Sequence, residues 1–359
     1  MYCYTKFGIL SNIWDLMSDP RNINIHITNK RKMVFLKDLP QSHLPKISKK
    51  LISVIIIAYD RKDFIIDAIN SVLNQSLDFD FYEIIVIKNY ENEEIDEFIN
   101  KSNKISKSIL SNNERLGSKI VEALSYCNGT IVTFLEDDDL FLPNKLFHVF
   151  NLFINNADLM YYHNAFELIN EQGLHSDTVG NMSSFNLSSI SVKKDILYLD
   201  VIDLIPRALD TSIYINALDV GKKMISDDAV LTYYRVHESD THIKGTEIEI
   251  FTKKLMVTNL YISSFEFLYK KLITMKAKTL LKKYIVDFKL NSRILSSYLK
   301  INSNIEITTA DLFSWITFSD GNLISSFKNL IFKFIEIIII KSNTLTKFLV
   351  KNSLLKLKS

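Results

Sequence analysis

Glycine is scarce in this 359-residue chain: there are 8 residues, about 2% where about 7% is usual. A phosphate cradle made from a glycine-rich loop therefore has little to be built from. Cysteine is limited to Cys3 and Cys127, too few for a disulfide framework or a zinc cluster, which fits a reducing compartment. Charge of one sign is also missing. The chain has 43 Lys+Arg against 41 Asp+Glu, a net of +2, so the concentrated positive excess of a nucleic-acid reader is absent. Near Met1 the apolar residues are broken by Lys6, Asp15 and Asp19, and no signal-peptide pattern forms. What is present is globular: 47% apolar and 23% charged residues, enough to exclude a disordered or collagen-like chain.

Residues 1–50 read as an extension or covering segment, polar and basic from Arg21 onward. Regular alternation begins at Leu51. LISVIIIAY (Leu51–Tyr59) is a β-branched run of the kind buried on both faces of a parallel sheet. Phe64, Ile65, Ala68, Ile69, Val72 and Leu73 then recur at helical spacing. YEIIVI (Tyr82–Ile87) is a second strand, Glu91–Lys101 a polar helix, and Ser108–Leu110 a short third strand. Leu116–Tyr126 is helical and GTIVTFL (Gly129–Leu135) is a fourth strand. The alternation implies a doubly wound, mostly parallel α/β sheet with flanking helices. Ligands in such sheets bind beyond the carboxyl ends of the strands, so chemistry is expected just after Tyr59, Ile87 and Leu135. From Glu247 to Lys300 the chain reads as a Lys-rich helical region.

Leu135 is followed by Glu136-Asp137-Asp138-Asp139. Four acids in a row repel one another unless a cation or hydrogen-bond donors neutralise them. Helix capping fits poorly, because Pro143 reads as the first helical residue and puts the cap at Leu142, beyond the acids. A solvated acidic turn remains one reading. The other is a hard divalent ion such as Mg²⁺ or Mn²⁺, held by one or two carboxylates and by phosphate oxygens.

SVIIIAYDR, EIIVIKN, NERLGSKIVEAL and GTIVTFLEDDDLFLP together resemble the nucleotide-binding half of family-2 inverting glycosyltransferases. The resemblance covers about Leu51 to His242. It implies a GT-A-type fold, a nucleotide-diphosphate sugar as donor and a divalent metal, Mg or Mn. It places Asp138 on the metal that bridges the donor's phosphates and Asp137 at the donor's ribose. Glu136 stands where the family usually has Asp; Asp139 contacts a metal-bound water or holds the turn. Ala58, Tyr59 and Asp60 fall where the family frames the base, although a Tyr and an Asp are also ordinary turn residues. Lys88-Asn89-Tyr90 replaces a usual pair of Asp residues, leaving Asn89 as the base partner. Gly117 opens a helix whose free amides suit an anion, with Arg115 and Lys119 read as helix-surface charges.

An inverting transfer also needs a base for the acceptor hydroxyl. The resemblance aligns Asp210 with that base and puts Leu209 where Glu is common. Capping of a helix from Thr211 is the plain alternative for Asp210, and Asp203 and Asp219 are rival acids. His237, after YYRV, is a candidate metal ligand or a structural histidine, and Arg235 reaches a phosphate or covers its strand. The resulting organisation is an extension (1–50), a catalytic domain (51–245), a helical region (246–320) and a tail (321–359). From Gly321 onward the tail has seven Lys and one Glu, a net of +6. Its spacing over 327–357 suits an amphipathic helix on an anionic membrane, or one docked on protein. The acceptor implied is a glycan or lipid-linked glycan, and the place cytoplasmic or on the cytoplasmic membrane face. Two other classes are weighed. A sugar-phosphate nucleotidyltransferase would need a glycine-rich loop, and AYDRKDF has none. A degenerate nucleotide-sugar-binding scaffold is kept open by Lys88, Asn89 and Leu209.

Overall fold

The computed structural model describes residues 50–59, 62–180, 186–207, 209–236, 246–308 and 311. These fall in two compact units, 50–236 and 246–311, each described by itself. Asp60, His237 and the tail 321–359 lie outside the described residues, as does the extension apart from Lys50.

The first unit is a mixed sheet ordered β3-β2-β1-β4-β8-β6-β9-β5, with β7 (His175–Gly180) added on β6. Its first half is parallel. β1 (Ile52–Ala58) lies between β2 (Tyr82–Lys88) and β4 (Ile131–Glu136), and β3 (Ile105–Leu110) extends the edge beyond β2. Every residue of β1 and β2 is buried, as expected of strands covered on both faces. Helices α1 (Ile65–Leu73), α2 (Glu93–Lys101) and α3 (Leu116–Ser125) make the crossovers. Ile65, Ala68, Ile69 and Val72 form the stripe that α1 buries. The third strand is longer than the sequence suggests and starts at Ile105. Its added residues are largely exposed, so it is an edge strand without the apolar run that marks its neighbours.

The amino ends of β1, β2 and β4 are tied by one carboxylate. Glu83 accepts from Ser53 Oγ (2.5 Å), Asn128 N (2.5 Å), Asn128 Nδ2 (2.9 Å) and Gly129 N (3.2 Å). Burial raises the pKa of Glu83, but these donors outweigh it and hold the carboxyl below its usual range. A Cβ on Gly129 would lie 2.6 Å from Ser53 N, so only glycine fits.

The second half is antiparallel around β8 (Ile190–Lys193), which joins β4 to β6 (Leu159–Ile169). β9 (Lys223–Arg235) runs parallel to β6 and antiparallel to the two-residue β5 (Leu140–Phe141). Helix α4 is Lys145–Asn155, α5 Leu199–Ile202 and α6 Leu209–Val220. The expected start of α4 at Pro143 is wrong by two residues. Its N-cap is Asn144, with no side-chain cap bond. The Leu146 amide instead donates to Gln75 Oε1, just after α1, at 2.9 Å. A cap supplied from 71 residues away has no local sequence signal.

The second unit is a hairpin of two 25-residue helices, α7 (Glu247–Lys271) and α8 (Met275–Leu299). Phe251 meets Tyr298, Tyr261 meets Phe288 and Phe265 meets Tyr284, so the helices run antiparallel. Thr246 and Glu249 form a capping box at the start of α7.

Candidate active site

The strand order 3-2-1-4 puts the topological switch point between β1 and β4, where an open α/β sheet binds ligands. The two strands stay in register up to Ile57 and Glu136. Ala58 ends β1 in the core and Tyr59 emerges, 48% exposed. Across the switch point Asp137 N donates to Ile57 O (3.1 Å), and Asp137 Oδ2 accepts from Tyr59 N (2.9 Å). Asp137 and Tyr59 are thereby joined side by side.

The acidic turn is pinned at both ends, because β4 enters it and β5 leaves it to pair with β9. Asp139 is buried and answers one of the questions the sequence left open. Its Oδ2 accepts from Ser188 Oγ (2.6 Å) and its Oδ1 from Arg235 N (3.0 Å), so it holds the turn. Arg235 is engaged within the chain. It is buried, and its Nε donates to Asp138 O (2.8 Å) and its Nη1 to Glu171 O (2.7 Å), with the guanidinium 4.5 Å over Phe64. Ser188 Oγ also accepts from Glu136 N at 3.0 Å. Asp138 stands between them in the turn and is 8% exposed.

Below the turn lies a residue the sequence reading missed. Lys145 is fully buried, and its Nζ donates to Asn164 Oδ1 (3.0 Å), Thr232 Oγ1 (3.0 Å) and Ser188 O. Burial pushes its ammonium well below the usual lysine range, against the pull of Asp139. His163 nearby is pushed down to about 4 by burial and by Lys145, so it is neutral at pH 7. The signal was there in Lys145, Val149 and Phe153, which share one buried helical stripe with a lysine in it.

Lys119 is a second such case and a correction. It is no surface charge: it is buried, with its ammonium 4.0 Å from the Tyr59 ring centroid, a cation–π contact at the base edge of the site. Arg115 is exposed, as expected. Gly117 also departs from expectation. Its amide donates to Ile205 O (2.9 Å) and that of Leu116 to Pro206 O (3.3 Å), so these donors are taken by the chain itself. A Cβ there would sit 1.7 Å from Ile202 O. Gly117 lets the segment 202–206 lie against α3, and that segment leads into α6. After β2, Asn89 is half-buried in a bend. Lys88 is turned inward to pair with Asp96 (2.7 Å) and Tyr90 O (2.7 Å).

Asp210 lies inside the first turn of α6, which begins at Leu209, so it is not the cap of a helix from Thr211. It is half-buried and accepts from Thr211 N at 2.6 Å. Burial pushes its carboxyl up to about 6, only partly offset by Thr211. Beside it stands Tyr161, whose hydroxyl is raised by burial, by Tyr214 and by Asp210. The buried Tyr161 hydroxyl has no hydrogen-bond partner among the described residues and is available to a polar ligand. Of the rivals, Asp219 accepts from Tyr198 OH (3.0 Å) at the far end of α6.

Among the described residues no group of three or more His, Cys, Asp or Glu is placed to hold an ion. A self-sufficient metal cage therefore does not fit. An ion held by Asp138 and completed by phosphate oxygens does fit, since Mg²⁺-type ions often take one or two carboxylates from the protein.

An open α/β sheet with carboxylates gathered where the strand order reverses has the layout of a nucleotide-binding α/β enzyme. Residues 53–178 match the family model for glycosyl transferase family 2. An uncharacterized glycosyltransferase of Rickettsia bellii is 32% identical over 137 residues, 38% of this chain and 19% of that protein. One from Methanocaldococcus jannaschii is 29% identical over 133 residues, 36% of this chain and 46% of that protein. The chain thus spans less than half the length of these curated relatives. The crystal structure of S. aureus TarS 1–349 in complex with UDP-GlcNAc superposes with a TM-score of 0.51 at 15% identity, covering 74% of this chain and 79% of that one. The likeness establishes the GT-A-type fold.

Proposed function

We propose that the protein is an inverting glycosyltransferase that moves a sugar from a nucleotide-diphosphate sugar to a hydroxyl of a glycan or lipid-linked glycan. The observation that carries this reading is the Asp137–Tyr59 bond across the switch point, with Asp138 next in the turn. The UDP-GlcNAc bound by TarS, a protein of like fold, supports the donor class. Ala58, Tyr59, Asn89 and Asp137 line the nucleoside side, with Lys119 backing Tyr59. Asp138 would hold a divalent ion arriving with the donor, and that ion supplies charge neutralisation for the departing diphosphate.

The chain's own residues do the rest. Asp210 takes the proton of the acceptor hydroxyl; the acceptor oxygen bonds to the anomeric carbon from the face opposite the leaving group. The bond from that carbon to the diphosphate oxygen breaks, and the nucleoside diphosphate leaves. A carboxyl raised to about 6 is suited to this, because a base works best with a pKa near the working pH. Arg235, Ser188 and Lys145 keep the acidic turn in place.

The test is a panel of nucleotide sugars scored for Mn²⁺-dependent release of nucleoside diphosphate. Release with one donor, stimulated by an acceptor, is the expected result. Tight donor binding with neither transfer nor hydrolysis would instead make the chain a scaffold, the reading that the inward turn of Lys88 favours. Peripheral attachment to a membrane is part of the proposal. Among the described residues no helix is long and apolar enough to cross one.

A further inference from the structure

The tip of the helical hairpin carries an unusual combination. Leu272 ends α7 in the core, but Ile273 and Met275, on either side of the α8 cap Thr274, are 78% and 74% exposed. Turns normally carry Gly, Asn, Asp or Ser for backbone reasons; this one carries Leu-Ile-Thr-Met. Single exposed apolar residues need no explanation. Here, however, the two stand amid Lys270, Lys271, Lys276 and Lys278, the first three exposed. From Tyr269 to Thr279 there are four lysines and no acid. The nearest acid before the tip, Glu266, is paired with Lys289 at 2.7 Å.

We infer that the tip of this hairpin, Ile273 and Met275 within their ring of lysines, is a contact site for an anionic lipid surface. Apolar side chains that project from a narrow turn enter the boundary between headgroups and acyl chains without needing a matching cavity. The lysines around them remain at the level of the lipid phosphates. A polyanion such as nucleic acid would satisfy the lysines but leave Ile273 and Met275 in water. Two side chains give weak attachment, so binding should be reversible and sensitive to salt and lipid composition. The contact is separate from the tail 327–357 and does not require glycosyl transfer, so either reading can fail alone.

Flotation of the full-length protein tests it, with vesicles of phosphatidylcholine alone and with about one third phosphatidylglycerol. The wild type should float with the anionic vesicles only. The double variant Ile273→Ser/Met275→Ser should lose about tenfold or more of its partitioning. Substituting the four lysines by Gln should cost about fivefold each and remove the salt dependence. All these positions are at or near the surface, so an unchanged melting temperature confirms folding, and donor hydrolysis should stay at the wild-type rate. The inference is overturned if the wild type floats with neither vesicle, or if the double variant floats as the wild type does. It is also overturned if only the lysine substitutions matter, which would mark an acidic macromolecule as the partner.

Discussion

The two halves of the sheet are built on different physics. Around β1 the core is Ile, Val and Leu. All seven residues of β1 and of β2 are buried, and a polar cluster at Glu83 sits at the strand ends away from the site. Around β6 and β9 the core contains Lys145, His163, Asn164, Ser188, Thr232 and Arg235, all buried. The first half is held by burial of apolar surface, which is tolerant of detail. The second is held by directed bonds, each of which leaves a costly orphan if a partner is lost. The acidic turn spans the seam. It leaves β4 in the apolar half and is gripped by Ser188 and Arg235 from the polar half, so the position of Asp138 depends on both.

The largest effect is expected at that seam. Asp138→Ala should lower transfer by about 10³-fold or more, several kcal/mol of barrier, with little change in melting temperature. Full metal-dependent activity in the variant would remove Asp138 from the mechanism. Next, Asp210→Asn should keep donor binding while turnover falls by about 10²–10⁴-fold. In the wild type, kcat/KM should rise as pH passes about 6, because the base must be ionised. The stability sign runs the other way. A carboxyl raised in the fold binds its proton more tightly than the unfolded chain does, so the wild type loses stability as pH climbs from the ordinary aspartate value to about 6. Asp210→Asn lacks that loss and should gain in melting temperature relative to wild type between pH 4 and pH 7.5. A variant with lowered stability and normal turnover would make Asp210 a structural residue.

The contrast between the halves can be tested directly with a pair of substitutions that nearly preserve shape. Lys145→Met removes donors to three acceptors and should cost about 2–4 kcal/mol, read by urea unfolding, with transfer falling as the acidic turn loosens. Ile56→Val removes one buried methyl group and should cost about 1 kcal/mol. Equal costs would mean that the halves do not differ as described. Gly117→Ala should cost about 3 kcal/mol, because the added methyl must displace the backbone at Ile202. Since 202–206 leads into α6, turnover should drop more than donor affinity. A parallel drop in both would uncouple Gly117 from Asp210.

Strands β1, β2 and β4 were legible as continuous apolar runs, and helices α1 to α3 because apolar residues recur at a period of 3.6 that names the buried face. The acidic run was legible because no local role accounts for four adjacent carboxylates. Lys119 and Lys145 were not, although both interrupt apolar stripes. A lysine in a sequence gives no sign of whether three acceptors from distant strands await it.

The sequence by itself determined the parallel half of the sheet and the strand end that carries the acids, through apolar runs, local periodicity and a compact motif. Asp210 as a candidate base came from the family resemblance. Only the tertiary structure decided how the acids divide their work. Asp139 holds Ser188 and Arg235, and Asp137 holds Tyr59. It also decided that the amides of Leu116 and Gly117 serve Pro206 and Ile205 and not an anion, and that burial lifts the Asp210 carboxyl. The reason is that these outcomes rest on partners 49 to 96 residues away for Asp139 and on desolvation. Neither is encoded in the neighbours along the chain.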